Sequence, residues 1–152
     1  MEIQKDHIHK QHNKNALLYH LVCPVRYRRK AVTNSVEKTI ISTCQSIGER
    51  YEMHFVEIGV DNDHVHFLIQ SVPTYSPKSI VQTVKSILSR EIFQQNPEVK
   101  KMLWGGKFWT SGYYINTVGI HGSKESIQQY VKQQGNNYSS IYNNIIQLSL
   151  FN

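Results

Sequence analysis

Two histidines one residue apart, His64 and His66 in DNDHVHFLIQ, have the types and spacing to hold a metal ion. Side chains alternate across a strand, so both imidazoles point one way while Val65, Phe67 and Ile69 point the other. Three apolar residues in phase make a core-facing side, and the histidines then share the opposite, more open one. Same-face neighbours lie roughly 6.5–7 Å apart along a strand, close enough for both imidazoles to reach one ion. Asp61 and Asp63 stand just upstream, where a carboxylate can orient an imidazole or attract the cation. Spacing alone leaves a second reading open, in which both histidines are hydrogen-bonded or at the surface with no ligand. Asp6-His7-Ile8-His9 repeats the pattern in a polar stretch with no strand to orient it, and reads with His12 as an exposed basic tail. A third alternating histidine would indicate a nucleotide-hydrolase triad, but position 68 is Leu.

The second group with chemical potential lies in SKESIQQYVKQQGNNY, where Ile127, Tyr130, Val131 and Gln134 fall on one helical face. Tyr130 and Gln134, four residues apart, stack about 6 Å from each other along the same side. A phenol there can attack phosphorus, and an amide oxygen beside it can complete a metal site. A tyrosine on an amphipathic stripe equally serves as core filler, and periodicity does not single out Tyr130 among nine tyrosines.

These residues need elements to position them. ALLYHLVC (16–23) reads as a buried strand, ended by Pro24 and the basic run Arg26-Tyr27-Arg28-Arg29-Lys30. A helix over 34–49 follows, with Val36, Ile40, Cys44 and Ile47 on one face. YEMHFVEIGV and the strand holding the histidines make a hairpin. Ser76 suits an N-cap, with Pro77 at the first helical position and an apolar stripe running from Ile80 to Ile92. After a loop around Pro97 and Gly105-Gly106, FWTSGYYINTV reads as a fourth strand, and Ser123 can cap a last helix ending near Gln134. The order predicts an α+β fold. It is a ferredoxin-like (RRM-like) split βαβ antiparallel sheet, with an additional C-terminal helix carrying the tyrosine. Residues 1–15 read as a polar N-terminal arm, 16–135 as the catalytic domain and 136–152 as a C-terminal tail to which no role is assigned.

Composition is consistent with a nucleic-acid partner. Lys and Arg outnumber Asp and Glu by 17 to 11 in 152 residues, a net charge of +6. Cys23 and Cys44 lack metal-ligand spacing and read as buried thiols. The polar start shows no signal peptide or membrane span, which predicts a cytoplasmic protein without a membrane partner. DNA contacts are expected from Arg26, Arg28, Arg29 and Lys30, and from Lys85 and Arg90 on the second helix. Tyr27, Trp104, Phe108 and Trp109 are candidates for base stacking.

The segments YHLVCPVRYRRK, DNDHVHFLIQSVP, KSILSREIF, LWGGKFWTSGYYINTVG and IQQYVKQQ, in this order over residues 16–134, resemble the single-tyrosine HUH transposases of the smallest bacterial and archaeal insertion sequences. The resemblance implies that His64 and His66 are metal ligands, that Gln134 supplies the third, and that Tyr130 is the nucleophile. It further implies cleavage and rejoining of one DNA strand through a 5′-phosphotyrosine, with a divalent metal, Mg2+ or Mn2+. Hairpins in single-stranded DNA at the element's ends are the implied substrate, recognised by a homodimer with composite active sites. No P-loop is visible, so no nucleotide cofactor is expected. Two other readings stand beside this one: an inactive or domesticated hairpin-binding relative, and a repeat-associated tyrosine transposase. Gly105-Gly106-Lys107 departs from the bulkier or more basic residues expected in that loop.

Overall fold

In the computed structural model, residues 8–9, 14–15, 17–118 and 137–139 are described. Ile8–His9 (β1) pairs antiparallel with Lys14–Asn15 (β2), so a short ladder forms within a stretch whose sequence gave no sign of a strand. Leu17–Pro24 (β3) is followed by a tight 3-10 turn at Arg26–Arg28 and by helix α1, Asn34–Arg50. The hairpin strands are His54–Val60 (β4) and His64–Ser71 (β5). Helix α2 spans Pro77–Gln95, with Ser76 as its N-cap accepting from the Ser79 N–H at 3.0 Å. A four-residue helix, Val99–Met102 (α3), lies where the sequence suggested only loop. Tyr114–Thr117 (β6) and Asn137–Ser139 (β7) complete the elements.

The five-stranded sheet runs β6-β3-β5-β4-β7, antiparallel at every described pairing. Its first four strands have the split βαβ order expected from the sequence. β7 adds a fifth strand beside β4 and places part of the C-terminal tail in the sheet. The expected C-terminal tyrosine helix, with Tyr130 and Gln134, lies outside the described residues.

Two strands are shorter than expected, for local reasons. Tyr51 caps α1 through its backbone N–H to the Ile47 carbonyl, which delays β4 until His54. In the aromatic segment, Trp109 makes an isolated bridge to Val25 and the Thr110 N–H reaches the Pro24 carbonyl at 3.0 Å. Lys85 Nζ then grips the Thr110 carbonyl at 2.7 Å, so the chain bends at 111–113 before pairing resumes in β6.

One sheet face packs on α1 and α2. Val65, Phe67 and Ile69 are fully buried there with Leu21, Cys23, Ile40, Ile47, Val84 and Leu88. Burying about a dozen such side chains at roughly 1.5–3 kcal/mol each makes this layer the main source of stability. Both cysteines are free and buried, and burial pushes the Cys23 thiol up to about 12. The other sheet face, expected to be open, is covered as well: His66, Leu68 and Gln70 are all nearly inaccessible. The His20 ring, on the neighbouring strand, lies flat against His66 and fills part of that space.

Candidate metal centre

The register of β3 on β5 brings three histidines together. Val22 pairs with His66 and His20 with Leu68, so His20 and His66 are diagonal neighbours on one face. Their rings stack at 5.2 Å and 12°, and His20 Nε2 lies 3.0 Å from His66 Nδ1. His64 meets His66 edge to face, with ring centroids 4.8 Å apart. On the β4 side the register partner of His66 is Gly59, which adds no side chain against the imidazole.

His20 was not singled out from the sequence, because in ALLYHLVC it reads as one polar residue in a buried strand. Only the β3–β5 register reveals what it faces. Burial lowers its pKa to about 4, so it is neutral at physiological pH. A neutral imidazole carries one donor and one acceptor nitrogen, and one nitrogen of the close pair must donate to the other.

His64 is oriented by the loop before it. Its Nδ1 lies 2.7 Å from Asp63 Oδ1, and because a carboxylate only accepts, His64 Nδ1 is the donor. That hydrogen bond, followed by the nearby Arg28 guanidinium, holds the Asp63 carboxyl below the usual carboxylate range. Arg28 Nη2 stands 3.2 Å from Asp63 Oδ2. The loop itself is fastened to the segment after β3: Val25 donates to the Asp63 carbonyl at 2.8 Å and Val32 to the Asn62 carbonyl at 3.0 Å. Asp61 lies on the other side of the ring, its Oδ2 4.0 Å from His64 Nε2. Among the described residues, Asp61, Asp63 and His64 offer ligand atoms within 4.8 Å of one another. The structure therefore brings together His64, His66, Asp61, Asp63 and Arg28.

The other expected contacts divide. Arg26 is at the surface, its guanidinium over the Tyr27 ring, while Arg29 and Lys30 are exposed. Lys85 holds the 110–112 bend and lines, with Arg26, Lys78 and Lys107, a groove of about 700 Å3. Arg90 stands elsewhere, among Ser46, Arg50 and Glu91 between the two long helices, on the layer opposite the histidines. Phe108 and Trp109 are buried core aromatics and offer no stacking face, whereas Tyr27 and Trp104 are 66% and 76% exposed. Gly105 and Gly106 have φ of +76° and +68°, which explains glycine where bulkier residues were expected. No helix among the described residues is long and apolar enough to cross a membrane.

Comparison with known proteins identifies the family and the fold. The family described as transposase IS200 like matches residues 13–134. The ISDra2 transposase TnpA of Deinococcus radiodurans is 30% identical over 118 residues, covering 78% of this chain and 84% of the relative. The transposase for insertion sequence element IS200 of Salmonella typhimurium is 30% identical over 116 residues, covering 76% and 75%. A crystal structure of a candidate transposase from Deinococcus radiodurans superposes with a TM-score of 0.66 at 26% identity, covering 84% of this chain and 98% of that one. The fold is also similar to a REP-associated tyrosine transposase bound to a REP hairpin, with a TM-score of 0.52 at 9% identity over 82% of this chain and 68% of the other. The chain belongs to the IS200-like transposase family.

Proposed function

We propose that this protein binds hairpins in single-stranded DNA and cleaves and rejoins one strand through a 5′-phosphotyrosine on Tyr130. A divalent ion, Mg2+ or Mn2+, is held by His64, His66 and Gln134. The observation that carries the reading is the engagement of Nδ1 in both histidines, by Asp63 in one case and His20 in the other. With Nδ1 so used, an ion held by these rings would be met at Nε2 of each. For His66 this requires Nδ1 to donate to His20 Nε2, which a neutral His20 can accept. Carboxylate and imidazole partners of this kind fix ligand tautomers in metal sites generally. Two imidazole nitrogens suit manganese at least as well as magnesium, which prefers oxygen ligands. When bound, the ion neutralises the scissile phosphate and polarises phosphorus.

The chain's own residues do the rest. The Tyr130 oxygen attacks phosphorus, the bond to the 3′ oxygen breaks, and that oxygen leaves as a 3′-OH after taking a proton. One phosphoester replaces another, so a 3′-OH can later reverse the exchange without ATP. Asp63 and His20 orient the imidazoles, and Asp61 adds negative charge on the Nε2 side of His64. The hairpin substrate is supported by the hairpin named for the REP-associated structure. A homodimer with composite active sites belongs to the same proposal.

The test is cleavage of labelled single strands from the DNA flanking the gene, against the same sequences as duplex. Cleavage of one single strand, restored to EDTA-treated protein by Mn2+ and abolished in His64→Ala and His66→Ala, is expected. Metal-independent cleavage, or cleavage unaffected by the histidine variants, refutes the assignment.

A further inference from the structure

The 3-10 turn after β3 contains the only two non-glycine residues with positive φ among the described residues, Tyr27 at 58° and Arg28 at 53°. Left-handed backbone disfavours residues with a Cβ and persists only where its surroundings enforce it. Here the enforcement is visible. Arg26 donates to the Phe108 carbonyl at 2.9 Å, Arg28 N–H to the Val25 carbonyl at 2.9 Å, and the Arg28 guanidinium pairs with Asp63. The consequence is a division of directions: Arg28 turns back toward the histidine loop while Tyr27 swings into solvent.

A second turn with left-handed backbone faces it. Gly105 and Gly106, both at positive φ, follow Trp104, which is 76% exposed. Arg26 ties the two turns together. Its Nη1 donates to the Trp104 carbonyl at 3.4 Å and its Nη2 to the Tyr27 hydroxyl at 3.1 Å. Its Nη1 would also stand only 3.3 Å from a Cβ placed on Gly105. Between the turns lies a pocket of about 200 Å3 lined by Tyr27, Arg29, Met102 and Trp104. Exposed aromatics that cluster, unlike single ones, mark ligand surfaces, and two lining one small pocket with an arginine make a surface for a flat, anionic ligand.

We propose that the pocket between Tyr27 and Trp104 holds one unpaired base of the single strand whose phosphate is served by the histidine site. The proposal rests on the single-strand reading above and names the subsite that grips the strand. The observations favour a nucleotide. The volume admits one planar base, the Trp104 ring is open to solvent, the Tyr27 ring is stacked by the Arg26 guanidinium, and the two arginines at the pocket, Arg26 and Arg29, are positive. Stacking platforms combined with positive charge hold single strands with little sequence preference. The Arg28–Asp63–His64 chain of contacts connects the turn to the histidines, so the base would be held beside them.

The experiment uses the full chain in EDTA and two labelled oligonucleotides of equal length, oligothymidylate and a fully abasic strand. Trp104 fluorescence and anisotropy both report binding. Wild type is expected to prefer the strand with bases, with Trp104 quenched. Trp104→Ala and Tyr27→Gly each weaken oligothymidylate binding roughly tenfold and leave abasic binding unchanged. Tyr27→Gly also removes the backbone strain at position 27, so its melting temperature should equal or exceed that of wild type, separating lost binding from lost folding. Equal affinity of wild type for the two strands, or wild-type affinity in both variants, overturns the pocket and leaves the cleavage reading standing. Failure of wild type to bind either strand likewise overturns the pocket, and the cleavage reading is then decided by the labelled-strand assay described above.

Discussion

Lowering the pH should destabilise this protein through His20 by an amount the structure sets. Its folded pKa is near 4 because burial disfavours the imidazolium, against 6.5 when exposed. Below pH 6.5 the unfolded chain takes up a proton that the folded chain refuses, so stability falls as pH falls and the loss is complete only below about 4. Linkage gives a loss of about 1.4 kcal/mol by pH 5.5 and about 2.5 kcal/mol by pH 4.5, relative to pH 8. Urea unfolding of metal-free protein between pH 8 and 4.5, for wild type and His20→Phe, isolates the effect. His54, lowered in the same direction by its own burial, acts in both proteins and cancels in the difference. The advantage or deficit of wild type over His20→Phe should shift by about 2.5 kcal/mol toward the variant across this range. Parallel curves would refute the assignment of a buried, neutral His20 against His66.

Asp63→Ala removes the acceptor that fixes His64 Nδ1 and should weaken Mn2+ binding roughly 10–100-fold by calorimetry, since ligand-orienting partners typically contribute that much. Ser76→Ala deletes the cap of α2 and should cost about 1 kcal/mol in urea unfolding at pH 7, with metal affinity unchanged. Gly105→Ala forces a Cβ into positive φ and against Arg26, and should lower the melting temperature, whereas Trp104→Ala should leave it nearly unchanged.

Much of this architecture was legible in the sequence because period and punctuation agreed. Val65, Phe67 and Ile69 alternate with His64 and His66, and the structure buries the first three on the helix side as alternation requires. Ser76-Pro77 marked the start of α2, which the cap geometry bears out. What escaped reading depended on contacts far apart in sequence. His20 becomes visible only through a register that joins residues 46 apart. The aromatic segment reads as one long strand, yet Lys85 from another element bends it. The glycines after Trp104 read as a departure from expectation, and their positive φ shows them to be what the turn requires. The pairing of residues 137–139 with β4 had no local signal at all, since a short polar stretch gains strand geometry only from the edge it meets.

The central claim is a transesterification in which the phenol of Tyr130 becomes joined to a DNA 5′ phosphate, supported by His64 and His66. It is tested most directly by trapping that product. Protein incubated with labelled single strands and Mn2+ is denatured, digested with protease, and the peptide bearing the nucleotide is sequenced by mass spectrometry. The account predicts one modified residue, Tyr130, with no adduct in Tyr130→Phe or His64→Ala. A modified peptide containing Tyr138, or an adduct that survives Tyr130→Phe, would place the nucleophile elsewhere and contradict it.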